Sequence, residues 1–550
     1  MFFYLKNKRN RWALVIVLGL TFLSLSPCLR GEFLTNWDDE IHLLENPFVR
    51  SLSLENIKGI FRQTINEVYL PLTVLSFAIE HHFFEFDPFV YHLNNLILHL
   101  LITAFVFVIA LQLGLDYKAA ALASLLFGIH PMHVESVAWV TERKDVLYGF
   151  FYIWAVYHYL RYVDTKALGA YWMTVVLCAL SLLAKPMAVS LVLILFLLDW
   201  FTRRQFNWRL VAEKIPHILI TVAIAWMTYR FHARIPVTDI SQAPLIWVWA
   251  FVFYLRTFVF PFVLIPLYAL PKPIVLTNPH FGISVVTFII IVGLLFRARR
   301  NRWVVFAFLF YFLSIFFLLR TDIQWDANIV ADRFMYLPSV GFCLLFAVYV
   351  ARRIVFNPNR VLARPNLLSL GIIVLFLWLG IKTYLQTSIW RSNRLLWTYV
   401  IEKIGFNDLA YIAFNNRAVS YLNEDKADLG LDDLNRSIQL NPHFYYLPYY
   451  NRGTLYMEKG FYPSALRDLT KAIAIRSWFD NAYNNRALVY EAMGEYNKAV
   501  TDLFKCISLN PRNAKCYGNR ARLYEKIGND YLAEKDLKRA AELGWYPESE

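Results

Sequence analysis

Charge is scarce in this chain. Asp, Glu, Lys and Arg make up 17% of its 550 residues and hydrophobic types 58%, whereas a soluble domain carries about 25% charged residues. That excludes an ordinary water-soluble enzyme and a disordered tail. Cysteine is sparse too. Cys28, Cys178, Cys343, Cys506 and Cys516 show no paired spacing, so neither a disulfide framework nor a zinc site is expected. A small-x-small cleavage site is missing after the first apolar run, Trp12–Leu29, despite its basic flank of Lys6, Lys8, Arg9 and Arg11. A retained first helix is therefore expected in place of a signal peptide. Acid is in short supply as well, and the net charge is +14. Its distribution excludes a nucleic-acid patch. From Ser388 onward 22 Lys and Arg meet 20 Asp and Glu, so nearly all the excess precedes that point. It clusters between apolar runs, at Arg203/Arg204/Arg209/Lys214, Arg297/Arg299/Arg300/Arg302 and Arg352/Arg353/Arg360/Arg364. This is the pattern of positive-inside loops, and the 17% aromatic content suits interfacial belts.

What is abundant is apolar sequence. Twelve apolar runs lie between Trp12 and Tyr384, several shorter than the roughly 20 residues of a full span. With the basic clusters inside, the crossings between Arg209 and Arg297 must be even in number. Ile246–Ile265, interrupted by Arg256 and Pro261, is the suspected partial segment. The expectation is an all-α protein: a transmembrane bundle of about 11 crossings over 1–387, with a large first outer loop at 31–91. In that loop Leu54, Ile57, Ile60 and Phe61 recur at helical spacing. Outer positions then fall to this loop, His130–Asp145, the Ala184-Lys185-Pro186 break and Thr321–Leu337.

Past Ser388 the character changes. A linker helix is expected over 388–410 and four repeats over 411–547. Asn416-Arg417-Ala418, Asn451-Arg452-Gly453, Asn485-Arg486-Ala487 and Asn519-Arg520-Ala521 recur at steps of 35, 34 and 34. Tyr421, Tyr456, Tyr490 and Tyr524 follow at one fixed offset, and Gly430, Ala465, Ala499 and Ala533 at another. This is the tetratricopeptide pattern of helix pairs with small residues at close crossings, stacking into an α-solenoid. The arginines are expected to pair with Asp433, Asp468, Asp502 and Asp536. The column Asn416, Asn451, Asn485, Asn519 offers amides that can bind a peptide backbone without reading its sequence. Bonding within the array is the alternative.

Ionisable residues at a membrane edge are costly and therefore point to function. Asp38-Asp39-Glu40 follow the first run. An acid beside a second acid in a partly dry site can serve as a base toward an acceptor hydroxyl, and a solvated loop is the competing reading. His130, His133, Glu135, Arg143, Lys144 and Asp145 form a second group. Its spacing fits no standard metal motif, so a pocket-shaping role is favoured over a divalent metal, with Arg143 and Lys144 suited to phosphate. Lys185, beside helix-breaking Pro186, and Arg333, with Asp332 to orient it, are further anion-binding candidates against a background of simple snorkelling. His92, Asn95 and His99 share one helical face, as interhelical ties or as pocket lining.

In order, NWDDEIHLLENP, PLTVLSF, DPFVYHLNNLILHL, IHPMHVESVAWVTERKDVL, LLAKPM and ADRFMYLPSVG, followed by the repeats, resemble the transmembrane-and-tetratricopeptide proteins and their bacterial relatives. The chain is more distantly similar to the protein O-mannosyltransferases of the GT-C class, which share a first outer loop bearing an acidic pair. The resemblance implies an integral-membrane glycosyltransferase moving a mannose-like sugar, with inversion, from a polyprenyl- or dolichyl-phosphate donor to Ser or Thr of a protein. It implies Asp38 or Asp39 as the base, with Asp39 slightly favoured, and Arg143, Lys185 and Arg333 as phosphate candidates. Leu70-Pro71-Leu72 stands where relatives have Arg-Pro-Leu, removing one phosphate contact. No resident cofactor is expected. The expected setting is a bacterial inner membrane with periplasmic repeats, or else the endoplasmic reticulum with luminal ones. Two other readings stay open: a non-catalytic scaffold for envelope assembly, and a transporter of lipid-linked sugar. Polar groups gathered at one edge favour catalysis over transport.

Overall fold

The computed structural model describes residues 4, 6–35, 37–62, 64, 69–231, 240–319, 329–351, 353, 367–405 and 409–543. The expectations placed on Asn36, on residues 321–328, on Arg352, Arg360 and Arg364, and on the end of the last repeat lie outside them. The chain divides into two compact units, Met1–Tyr399 and Val400–Glu550. Among the described residues every regular element is a helix.

The first unit begins with α1 (Lys8–Leu25), followed by the segment that carries α2 (Leu54–Arg62) and α3 (Pro71–Phe84). Then come α4 (Pro88–Gln112), α5 (Tyr117–Gly128), the short α6 (Val134–Ala138), α7 (Arg143–Thr165) and α8 (Leu168–Ala184). After the Lys185 break follow α9 (Leu191–Phe201), α10 (Trp208–Ala212), α11 (Ile215–Phe231), α12 (Ala243–Val259), α13 (Pro279–Arg297), α14 (Arg302–Ile315), α15 (Ser339–Ala351) and α16 (Leu367–Ile389). Local chemistry sets many starts. Asp87 caps the N–H of Phe89 with Pro88 at the first helical position. Asp116 caps Ala119, and Asn278-Pro279 and Asn301 open α13 and α14 the same way.

Among the described residues, four helical stretches are long and apolar enough to cross a membrane: Lys8–Arg30, Pro88–Gln112, Pro279–Arg297 and Leu367–Ile389. Six further apolar helices are shorter, α12 among them. Apolar side chains on α13 are exposed over most of its length, Ile283, Val286, Ile289 and Leu294 included. A helix apolar all round and uncovered by protein is suited to lipid. α4 is instead mostly buried and packs on α5 and α7. Close approach rests on small residues. A Cβ on Gly128 would come within 2.2 Å of Thr21 Oγ1, and one on Gly341 within 2.8 Å of the Ala307 carbonyl oxygen.

The ends of α1 and α16 leave on the same face. The Glu32 N–H donates to the Arg391 carbonyl at 3.0 Å, the Asn393 N–H to Glu32 Oε1 at 2.8 Å and the Asn393 amide to the Phe33 carbonyl at 3.2 Å. The basic cluster before α11 is not all free charge. Lys214 pairs with Asp199 at 2.6 Å, and Arg204 reaches Asp199 and Glu213, both at 2.9 Å. Two of its four cations are thus neutralised in place, because acids on the neighbouring turns meet them once the helices pack.

α17 (Asn393–Ile404) carries the chain from the first unit into the second. Four helix pairs follow: α18 (Ala410–Asn423) with α19 (Ala427–Leu440), α20 (Leu447–Glu458) with α21 (Tyr462–Ile475), α22 (Asp480–Ala492) with α23 (Tyr496–Leu509), and α24 (Ala514–Lys526) with α25 (Asp530–Glu542). Gly460, Gly494 and Gly528 turn the chain within the last three pairs at φ of 77°, 78° and 74°, where a side chain is strained. Asp425 takes that place in the first pair at φ 58°. Ala465, Ala499 and Ala533 are buried at the crossings. Arg417, Arg452, Arg486 and Arg520 each form a two-point pair with Asp433, Asp468, Asp502 and Asp536, with Nε–Oδ2 at 2.7 Å in all four. Each guanidinium also lies over the tyrosine four residues on, at 5.6–6.0 Å. The cysteine expectation needs correction here. Cys506 and Cys516 are joined by a disulfide with Cα atoms 6.3 Å apart, tying α23 to α24. Ten residues apart in sequence, they become neighbours only when successive repeats stack.

Candidate active site

The polar stretches that carry Asp38, Lys144, Lys185 and Arg333 meet in the first unit. Trp37 stacks on Trp397 at 4.6 Å and meets Trp139 edge-on at 4.8 Å, which fixes the segment carrying the two adjacent acids. From there the chain makes a single wide helical turn, Glu40–Leu44. The acids have separate fates. Asp39 is fully buried. Its Oδ2 accepts the Leu34 N–H at 2.8 Å and its Oδ1 the Thr141 N–H at 3.0 Å. Burial pushes its carboxyl up to about 6, although both N–H groups pull the other way. Asp38 keeps its side chain 31% exposed, 3.4 Å from Lys144 Nζ. This arrangement gives the slight sequence preference for Asp39 as base no support: Asp39 spends both oxygens on the Leu34 and Thr141 N–H groups, and Asp38 is the more exposed of the two acids.

Behind Asp38 lies a chain of ion pairs. Lys144 Nζ is 3.1 Å from Glu142, Arg333 Nε is 3.3 Å from Glu142 and Lys185 Nζ is 3.9 Å from it. Each cation has a second acid: Asp38 for Lys144, Glu135 for Arg333 and Asp145 for Lys185. The Arg333 N–H also donates to Glu135 Oε2 at 3.0 Å. Burial alone would raise the Glu142 carboxyl, but Lys144, Arg333 and Lys185 together hold it well below the usual range. The Trp139 ring forms a wall, with Lys144 5.9 Å and Arg333 5.5 Å from its centre. His42 is buried nearby, and its imidazole is lowered to about 4 by burial and then by Lys144.

Three candidates from the sequence thus converge, Lys144, Lys185 and Arg333, with Glu135 bracing one of them. Others do not. Arg143 turns away from its neighbour Lys144. Its guanidinium contacts Glu80 at 2.5 Å, the Tyr91 carbonyl at 2.8 Å and the Asn95 side chain. It is 2% exposed, so its donors are committed inside the fold and the phosphate role expected of it is not supported. His130 stacks on Phe258 at 4.3 Å and bonds the Phe258 carbonyl at 3.0 Å. His133 uses both ring nitrogens, on the Phe127 carbonyl at 2.7 Å and Ser339 Oγ at 3.0 Å. Both are interhelical ties. Glu135 meanwhile faces Arg333, so these three share no common point. Among the described residues no group of three His, Cys, Asp or Glu has the spacing to hold a metal. Asp332 does not orient Arg333; its carboxylate accepts the Tyr268 hydroxyl at 2.8 Å. His99 and Asn95 also act as ties, to Tyr336 at 2.7 Å and to the Trp139 carbonyl at 3.1 Å. Glu142 is the residue that sequence reasoning missed. Its only signal was a place in Glu142-Arg143-Lys144-Asp145.

In the repeats, Asn451 donates to Asn415 at 2.9 Å, Asn485 to Thr454 at 2.9 Å and Asn519 to Asn484 at 2.8 Å. Asn416 accepts from Asn415 at 3.0 Å. The column expected to greet an acceptor peptide is thus engaged within the array, largely from one repeat to the preceding one.

A tetratricopeptide repeat family model matches residues 481–513. Protein O-mannosyl-transferase F38B6.6 of Caenorhabditis elegans is 25% identical over 415 residues, 70% of this chain and 57% of that protein. Protein O-mannosyl-transferase TMTC3 of Homo sapiens is 35% identical over 128 residues, 22% of this chain and 14% of that one. Protein O-mannosyl-transferase TMTC1 of Mus musculus is 33% identical over 172 residues, 28% and 18% of the two chains. The chain thus spans little more than half the length of the worm relative and less of the others. A crystal structure of MamA aligns with 30% of this chain and 93% of its own, at 23% identity and a TM-score of 0.26. The ordered motifs, the repeats and these matches make the chain a homologue of the transmembrane-and-tetratricopeptide proteins.

Proposed function

We propose that this chain is a multi-pass, GT-C-like membrane glycosyltransferase of about 11 crossings. It transfers a mannose-like sugar from a polyprenyl- or dolichyl-phosphate donor to a Ser or Thr hydroxyl of a protein. One observation carries the reading: three cations converge on a single anion position directly behind a partly exposed carboxylate. The acceptor hydroxyl attacks the sugar carbon while Asp38 takes its proton. The bond from that carbon to the donor phosphate breaks, and Lys144, Arg333 and Lys185 stabilise the charge gathering on the phosphate. Asp39 positions the loop that carries Asp38. The repeats recruit the polypeptide, consistent with the use of such solenoids as binding surfaces. The Cys506–Cys516 bond supports placing them in an oxidising compartment, the periplasm or, alternatively, the lumen of the endoplasmic reticulum.

The test is transfer from a radiolabelled polyprenyl-phosphate mannose to acceptor peptides in reconstituted membranes. Wild type is expected to transfer, and Asp38→Asn to lose about 10²–10⁴-fold, the usual worth of a general base. Full transfer by folded Asp38→Asn sinks the base assignment. Absence of transfer by wild type from any sugar donor returns the protein to the scaffold reading.

A further inference from the structure

Arg333 and Lys185 lie closer to their outer acids than to the carboxylate that all three cations share. Arg333 is fixed by side-chain and main-chain bonds to Glu135 and Lys185 by a close pair with Asp145, while Lys144 lies 3.4 Å from Asp38 and 5.9 Å from the centre of the Trp139 ring. Toward the centre all three turn to one carboxylate at 3.1, 3.3 and 3.9 Å. Glu142 is 0% exposed, ends a short helical turn, Val140–Glu142, and directly precedes α7. A carboxylate so placed does what a bound phosphate oxygen would do. It keeps three like charges together in a low-dielectric site where they would otherwise repel.

From this geometry we infer that Glu142 is an internal stand-in for the donor phosphate: it holds Lys144, Arg333 and Lys185 in register while the site is empty and yields them when a phosphate-bearing lipid enters. The inference rests on the glycosyltransferase reading for the identity of the lipid, but the exchange concerns only the phosphate. A sugar phosphodiester carries one negative charge, as the carboxylate does, so entry costs the cations little. The monoester left after transfer carries more charge, and the returning carboxylate competes with it, so Glu142 assists product release. It is a positioning residue that touches the cations and neither the sugar nor the hydroxyl.

The experiment measures binding of farnesyl phosphate to the full chain in nanodiscs, with farnesol and inorganic phosphate as separate arms. Glu142→Gln, neutral and of the same shape, removes the competitor and is expected to bind farnesyl phosphate about tenfold more tightly. Farnesol binding is expected to stay unchanged. Tightening in the inorganic phosphate arm as well shows that the anion alone drives the exchange, and tightening only with farnesyl phosphate shows that the lipid is needed to present it. A purely structural Glu142 would give equal or weaker binding in the folded variant, and that result overturns the inference. If Glu142→Gln does not fold, Glu142→Asp decides by the same rule, since its shorter side chain loosens the hold but keeps the charge; a gain of about threefold is expected. Because farnesyl phosphate carries no sugar, these outcomes are independent of transfer. Tight phosphate binding without sugar transfer sinks the enzyme reading, and transfer without tightening in the variant sinks this one.

Discussion

Replacing Asp39 by asparagine keeps the side-chain shape but removes its charge and turns one acceptor oxygen into a donor. Two buried backbone N–H groups, of Leu34 and Thr141, now share one acceptor where they had two. An orphaned buried N–H costs about 1–3 kcal/mol, and that penalty does not depend on pH. The charge does. Burial raises the carboxyl from 3.8 to about 6, so the ionised form costs the fold about 3 kcal/mol at pH 7. Because the folded value lies above the unfolded one, the favourable contribution is complete below about pH 4 and is lost as pH rises through about 6. Wild type should therefore lose about 3 kcal/mol relative to Asp39→Asn between pH 4 and pH 7. Hydrogen exchange at the Leu34 and Thr141 amides, compared over that range, reads this drift locally. Transfer at pH 7 supplies the second arm: Asp39→Asn should retain measurable turnover where Asp38→Asn does not. A flat difference in exchange, together with an Asp39→Asn protein as inactive as Asp38→Asn, would refute the division of labour between the two acids.

Arg143→Lys should lower the yield of folded protein without raising the KM for donor in what survives, since breaking a buried pair such as Arg143–Glu80 costs about 3–5 kcal/mol. Size-exclusion profiles and donor titrations would show it, and a selective rise in KM would restore a phosphate role. Reducing Cys506–Cys516, or Cys506→Ser, should destabilise the repeats by about 2–3 kcal/mol, as expected for closing a loop of ten residues. Limited proteolysis should then cut the repeats earlier while leaving α4 protected. Gly128→Val should disrupt the contact of α1 with α5, because even a Cβ there approaches Thr21 within 2.2 Å; unchanged thermal unfolding of that variant would mean that the two helices separate freely.

Much of this was legible in one dimension because it repeats. The Arg–Asp pairs of the solenoid recur at one fixed offset, so four copies vouch for each other, and all four form. The clustering of polar residues was legible because charge is rare in apolar sequence, and Asp38, Lys144, Lys185 and Arg333 do meet. What was not legible depends on direction. Arg143 and Lys144 are neighbours in sequence, yet successive residues at a helix start point roughly 100° apart, and they serve different networks. Asp38 and Asp39 differ in the same way, one facing water and one facing the Thr141 N–H. Glu142 was overlooked because two of its three cation partners, Lys185 and Arg333, lie on other segments, and the asparagine column because its bonds run between repeats. The count of crossings depends on helices too short to declare themselves by length.

The clasp between Glu32 and residues 391–393 has a practical consequence for how such proteins can be recombined. Trp390, Asn393 and Trp397 belong by sequence to the stretch after the last long apolar helix, yet they wall and tie the loop that carries Asp38. A chimaera joined at residue 387, where composition changes, would strip those props from the first unit and loosen the loop that carries Asp38 for reasons unrelated to the repeats. A junction past Tyr399, at the boundary between the two units, leaves those props with the loop that carries Asp38.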